Sequence, residues 1–442
     1  MKSDKFIRII WGTACILSSI FLTGCAGRNA DGKTKLEFAM FGGNNWDVAV
    51  QDSYEVMEKV IERFERSHPN VDIVYETGIL KEDYSEWLSE KILSDEAPDV
   101  MMVAKTDFDR FVDLDILQNL DEYVNDDPQF DVSKIYEAAL ETGKVNGSQY
   151  GIPIETIPYL MFVNKSLLSK ENIEIPSNDY TFDDLYDICR KVTKDTDGDG
   201  LLDQFGIYKY SWKDAAAANN AILFSEDGKK CNFTSSELKD AITFIDSLEV
   251  LNGGQTITQE MFDEGRVAFM PLTLAEYRTY KTYPYKIKKY SDFQWDCITM
   301  PRGPEGDNTS RIDALNIAMS SRSVNKDIAW EFMKFLTMDK EVQLELYKET
   351  PAASVLPSVM ESEEGERIIE GGETDTEQLI HSSMIGKTIK NGCAEMRFDA
   401  YEGAMNLADS EIASLIASGL DTDIESAMRD IQTKVSEYLR RF

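Results

Sequence analysis

Between Leu36 and Val103 the hydrophobic pattern switches repeatedly between two periods, and that alternation limits what the chain can become. Leu36-Glu37-Phe38-Ala39-Met40-Phe41 is a short strand-like run ending at Gly42-Gly43-Asn44-Asn45-Trp46. Tyr54, Met57, Ile61 and Phe64 then recur at spacings of three and four, the mark of a helix with one buried face, which closes at His68-Pro69-Asn70. Val71, Ile73 and Tyr75 alternate as a strand, Tyr84, Trp87, Leu88 and Ile92 make a second helix, and Val100-Met101-Met102-Val103 is an apolar strand. Strand, helix, strand, helix, strand predicts an α/β sheet with parallel strands.

The character changes at Tyr150-Gly151-Ile152-Pro153-Ile154-Glu155. Two strand-like pieces, Tyr150 to Ile154 and Tyr159 to Asn164, carry Pro153 and Pro158 nearby and predict a crossing between lobes. A second α/β region follows: a helix started by Thr181 with Asp184 three residues on, a strand from Phe205 to Tyr210, a helix after Ser235, and a strand from Val267 to Met270. The turn-rich Met300-Pro301-Arg302-Gly303-Pro304-Glu305-Gly306 leads into Ala314 to Met319 as a second crossing, and the tail is helical. A single core rarely grows to 400 residues, so two lobes are expected: 36–153 with 301–349, and 154–300 with 350–442.

Ahead of these stands a basic start, Lys2, Lys5 and Arg8 against Asp4, and a fourteen-residue apolar run from Ile9 to Leu22. That run is too short to span a bilayer comfortably and has the layout of a secretory signal. Leu22-Thr23-Gly24-Cys25 resembles the lipobox of bacterial lipoproteins, which implies cleavage after residue 24 and acylation of Cys25. Several acyl chains on one residue hold a membrane far more firmly than one, at about 0.8 kcal/mol per buried methylene. Residues 25–35, small and polar, are then a lipid-anchored tether, and the body stands outside the cytoplasmic membrane, attached through the lipid alone.

The formal charge of −34 includes +2 from the signal, leaving −36 on the body. Such a surface repels phosphate backbones, so nucleic acid is excluded as a partner. Cys189, Cys231, Cys297 and Cys393 lie far apart without CxxC spacing, which argues against zinc and for buried thiols, with one long-range disulfide as the alternative. His68 and His381 are the two histidines, and neither belongs to HExxH or to a triad pattern; no Walker loop, GxSxG or GxGxxG follows a strand. Metallohydrolase, triad and nucleotide-dependent chemistries are therefore disfavoured.

Gly151-Ile152-Pro153 with Val163-Asn164-Lys165 behind it, Phe262 to Met270, the Met300-Pro301 linker and Ala329-Trp330-Glu331-Phe332-Met333-Lys334-Phe335-Leu336 together resemble the extracellular solute-binding proteins of ABC importers, in the group that binds sugars and oligosaccharides. The resemblance implies a two-lobed, periplasmic-binding-protein-like α/β fold of the class II type with the ligand cleft between lobes. It also implies hinge closure on a sugar and delivery to membrane permease subunits by a monomer. A surface-anchored glycoside hydrolase or a sensor-associated sugar-binding protein is the alternative.

A sugar offers a face of CH groups and a rim of hydroxyls, so its receptor needs flat aromatic rings together with carboxylates, amides and cationic donors. Open α/β sheets bind ligands at strand ends and crossings. The candidates placed there are Asn45 and Trp46 after the first strand, Lys105 and Asp107 after the third, Glu155 and Tyr159 at the crossing, and Trp212, Tyr277 and Arg397 from the second lobe. A separate stretch, Asp195-Thr196-Asp197-Gly198-Asp199-Gly200-Leu201-Leu202-Asp203, has the spacing of an EF-hand-like calcium loop: carboxylates of Asp195, Asp197, Asp199 and Asp203 with the Leu201 carbonyl, and Gly206 where the usual bidentate Glu would stand. A structural Ca2+ is the expected cofactor, with an Asp/Gly turn that caps only itself as the alternative.

Overall fold

The computed structural model describes residues 32–49, 54–281, 290, 292–370, 378–419 and 423–441; the expected signal and Cys25 lie outside the described residues. Its strands in chain order are β1 (Thr34–Ala39), β2 (Val71–Val74), β3 (Val100–Val103), β4 (Lys144–Val145), β5 (Ser148–Gln149), β6 (Gly151–Asn164), β7 (Phe205–Ile207), β8 (Val267–Thr273), β9 (Trp295–Ile298), β10 (Arg311–Met319) and β11 (Cys393–Ala394). The main sheet runs β2-β1-β3-β10-β6-β8-β7, with β9 beside β6 and β11 beside β10.

The expected parallel start is present: β1 lies parallel to both β2 and β3. Helix Tyr54–Ser67 covers it by burying Val56, Met57, Val60, Ile61 and Phe64, the face that its apolar spacing predicted. Phe64 meets Phe332 edge to face at 5.1 Å, which ties that helix to helix Lys326–Met338 across the layer.

One strand serves both halves. β6 pairs antiparallel with β10 from Gly151 to Pro158, then exchanges that neighbour for β8 from Tyr159 and for β9 from Met161. The two strand-like pieces expected here are therefore a single strand of 14 residues. Proline fixes φ near −65° without leaving the extended region, and what it removes is one ladder donor. Pro153 sits beside a register shift opposite Leu315 and Asn316, where the pairing is interrupted in any case.

Past the crossing, helix Phe182–Val192 opens with the expected capping box, Thr181 and Asp184 satisfying each other's backbone N–H. It buries Phe182, Leu185, Ile188, Cys189 and Val192 in a second apolar cluster, which also holds Ile242, Met428, Ile431 and Val435. Helices Pro357–Met360, Glu363–Glu370 and Ser382–Lys390 instead bury Val359, Met360, Ile369, Ile385 and Ile389 in the first cluster, the one that holds Leu36, Phe64, Ile152 and Phe332. The chain returns to the second cluster at Phe398 and Ala400. No helix among the described residues is long and apolar enough to cross a membrane.

Candidate ligand cleft between the lobes

Leu315 lies opposite Glu155, and Asp313 opposite Ile157, across the β6–β10 pair. Because side chains alternate along a strand, Glu155, Ile157 and Tyr159 share one face with Leu315, Asp313 and Arg311. The loop after β1 and the helix after β3 reach the same face.

At its centre stands Lys105, the first residue of helix Lys105–Asp113. Its Nζ lies 3.2 Å from Asp313 Oδ2 and 2.6 Å from Glu395 Oε2. Burial pulls the ammonium pKa down, but the two carboxylates outweigh it and hold it above the ordinary lysine value. Burial likewise pushes Glu395 up while Lys105 draws it below the usual carboxylate range. Glu395 also accepts from Tyr401 Oη at 3.4 Å.

Beside this pair, the Arg311 guanidinium lies 4.7 Å from the Tyr159 ring centroid. Nε and Nη2 both reach Asp214 Oδ1 at 2.8 Å. Asp214 is held in turn by a capping box at helix Trp212–Ala218, its Oδ2 accepting from Ser211 N at 3.1 Å and Ser211 Oγ at 2.6 Å. The Arg311 fork thus joins a crossing strand to the second lobe in one fixed orientation.

Arg397 and Phe398 are neighbours in sequence that plug into opposite halves. Arg397 lies 5.1 Å from the Phe108 ring and donates to Thr142 O, Lys105 O and Asp109 Oδ1. Phe398 packs edge to face on Phe224 at 5.3 Å, in the second cluster. The segment from Cys393 to Asp399 is a strap over one end of the cleft.

At the other end, Asn45 offers its carbonyl to Lys81 Nζ at 2.6 Å, and Trp46 Nε1 donates to Glu155 Oε2 at 2.9 Å. Asn45 and Glu155 line a small hollow with Phe41, Leu315, Thr350 and Pro351. Burial raises the Glu155 carboxyl above its ordinary value, against the pull of the Trp46 N–H and the Arg278 charge. A carboxyl that holds its proton more tightly when folded contributes most below its unfolded pKa of about 4.3, and its contribution falls as pH rises through the higher folded value. Glu155→Gln keeps an acceptor for Trp46 and cannot ionise. Its stability relative to wild type should therefore improve steadily from acid to neutral pH in urea titrations; a pH-independent difference would contradict this.

The structure brings Asn45, Trp46, Lys105, Glu155, Tyr159 and Arg397 to this face or its ends. Three candidates stand elsewhere. Asp107 is buried and accepts from Ser85 Oγ. Tyr277 is fully buried, edge to face with Trp295 at 6.0 Å, because helix Leu274–Lys281 turns it into the core. Trp212 is 4% exposed and donates through Nε1 to Asp409 Oδ1 at 2.7 Å, so it presents no open ring face in this conformation. Missed were Asp214, Arg311, Asp313, Glu395 and Tyr401. Carrying the alternation of the second crossing back from Ala314 to Arg311 is the signal that finds two of them.

In the acidic loop, oxygens of Asp195, Asp197 and Asp203 lie within 4.8 Å of one another. Asp199 accepts from Leu201 N instead, and Thr196 donates to both oxygens of Asp203. Gly206, where a twelfth-position carboxylate would stand, is inside β7. Cys189, Cys231, Cys297 and Cys393 are free thiols.

Residues 47–343 match the family model of the bacterial extracellular solute-binding protein. The chain is 22% identical to the maltotriose-binding protein of Pyrococcus abyssi over 402 residues, 88% of this chain and 81% of that one. In fold it matches the cyclic α-maltosyl-1,6-maltose binding protein of Arthrobacter globiformis, with a TM-score of 0.74 at 15% identity, over 93% of this chain and 100% of the other. It also matches an ABC substrate-binding protein from Listeria monocytogenes solved with cycloalternan, with a TM-score of 0.64 at 18% identity, over 92% and 99%. A two-lobed α/β fold with a shared crossing strand, matched over about two thirds of its length by one family model, identifies the chain as a member of the bacterial extracellular solute-binding protein family.

Proposed function

We propose that this chain is the capture protein of an ABC importer, taking a sugar or oligosaccharide into the cleft between its lobes and handing it unaltered to membrane permease subunits. The observation that carries this is the β6–β10 face, where Arg311 lies over the Tyr159 ring and Lys105 pairs with Asp313 and Glu395 beside it. Ring and charged donors together are what a sugar's CH face and hydroxyl rim require. Relatives named for maltotriose and for cyclic α-maltosyl-1,6-maltose support the carbohydrate class.

Capture without catalysis fits the same residues. Lys105 holds the Glu395 carboxyl below its usual range, the reverse of what a proton-donating carboxylic acid needs. The protein acts as a monomer outside the cytoplasmic membrane, tethered by lipid on Cys25. The Asp195, Asp197 and Asp203 cluster takes calcium, weakly, because the twelfth-position carboxylate is missing.

A thermal-shift screen of the mature chain against mono- and oligosaccharides, with and without calcium, tests this. A ligand at a hundred times its Kd adds about 2.7 kcal/mol to stability and raises the melting midpoint accordingly. At least one oligosaccharide should do so and be recovered at its original length. Calcium should raise the midpoint and EDTA reverse it. No shift with any sugar refutes capture, and release of shorter sugars refutes the absence of catalysis.

A further inference from the structure

The charges on the cleft face do not balance. Lys105 and Arg311 face Asp214, Asp313 and Glu395, two cations against three carboxylates; the adjacent Arg397–Asp109 pair adds nothing net. We infer that this cluster is a charge filter through which the site takes uncharged glycans and turns away sugar acids and phosphorylated sugars. The inference deepens the sugar-binding reading and rests on it.

Each cation is already committed to protein carboxylates. Lys105 is shared between Asp313 and Glu395, and the Arg311 fork is spent on Asp214. The carboxylate oxygens are occupied as well: Asp313 Oδ1 accepts from Ala314 N at 2.9 Å, Asp214 Oδ2 from Ser211, and Glu395 Oε1 from Tyr401. A ligand carboxylate that reached Lys105 or Arg311 would have to displace one of these partners or sit beside it, like charge against like charge. A ligand hydroxyl meets no such penalty. It can accept from the remaining N–H groups of Arg311 and Lys105 and donate to the free lone pairs of Asp313 or Glu395. The residues are partly open to the cleft, with Lys105, Asp313 and Arg311 side chains 46%, 30% and 38% exposed, so a ligand can reach them. The body's charge of −36 opposes anion approach in the same direction.

The test uses the mature chain and the tightest-binding neutral sugar of the thermal-shift screen. Titration calorimetry compares it with the same sugar bearing one primary CH2OH oxidised to carboxylate, which keeps the ring and adds one negative charge. The acid should bind at least about tenfold more weakly, the equivalent of one close charge contact in a partly wet site. The double variant Asp313→Asn, Glu395→Gln reverses the local balance and should close that gap. In the unaltered protein, raising the salt concentration should narrow it too, because screening weakens the repulsion, and this reading needs no variant to fold. An acid that binds as tightly as its neutral parent, or whose affinity falls with salt, overturns the filter and leaves sugar capture standing. A screen in which neither neutral nor acidic sugars bind overturns the sugar reading and the filter with it.

Discussion

Replacing Arg278 by methionine is expected to lower the unfolding free energy by about 3–5 kcal/mol, the range for removing one member of a buried charged network. Arg278 is 1% exposed and lies on helix Leu274–Lys281. Its Nη1 donates to the carbonyls of Thr350 and Ala352, each at 2.6 Å, and its guanidinium lies 4.8 Å from the Tyr347 ring. Ala353, next along, exchanges two backbone hydrogen bonds with Thr156 of β6, at 2.8 and 3.1 Å. One side chain from beyond the crossing thus pins the segment 350–353 against the shared strand. Methionine fills much of the volume but donates nothing, so both carbonyls lose their partner in a dry setting and the buried Glu155 loses a nearby cation. Urea titration reads the loss directly. A change below about 1 kcal/mol would mean that the carbonyls find other donors at little cost.

Much of the fold was legible because burial and periodicity coincide in it. Met57, Ile61 and Phe64 are buried where the helical spacing put them, joined by Val56 and Val60, and Thr181 with Asp184 caps its helix as the three-residue offset announced. The shared strand was less legible. Pro153 and Pro158 suggested two pieces, because proline weakens any reading of a ladder, yet the missing donors fall where β6 is bulged or changing partners.

The cleft was legible only in part, and the reason is physical. Lys105 follows from a strand end, and Glu155 and Tyr159 from the crossing, both local properties. Tyr277 and Trp212 are buried, because helix rotation, not sequence position, decides whether a ring meets the cleft or the core. Glu395 reaches Lys105 from 290 residues away in sequence, and nothing local predicts that approach. Aromatic content alone therefore pointed to sugar chemistry without locating it.

Arg311→Ala should weaken sugar binding by about 2–3 kcal/mol, roughly 30- to 150-fold, in keeping with the loss of a charged, geometrically fixed contact. The residue acts in two ways at once. Its guanidinium covers the Tyr159 ring at 4.7 Å and makes a planar, donor-bearing surface of the pair. Its double contact with Asp214, at 2.8 Å, fixes that surface relative to the second lobe. Truncation removes the donors and leaves the Asp214 side chain, 3% exposed, with Ser211 as its remaining partner on Oδ2. Arg311→Lys separates the two roles: it restores the charge opposite Asp214, but a point ammonium has neither the fork nor the flat face. Lysine should recover most of the stability that alanine loses and little of the affinity. Calorimetry with the tightest neutral sugar, run beside urea titration of the same samples, distinguishes them. Affinity within about threefold of wild type in the alanine variant, a difference worth less than 1 kcal/mol, would remove Arg311 from the site. Full affinity in the lysine variant would assign recognition to charge alone and deny the planar stack its part.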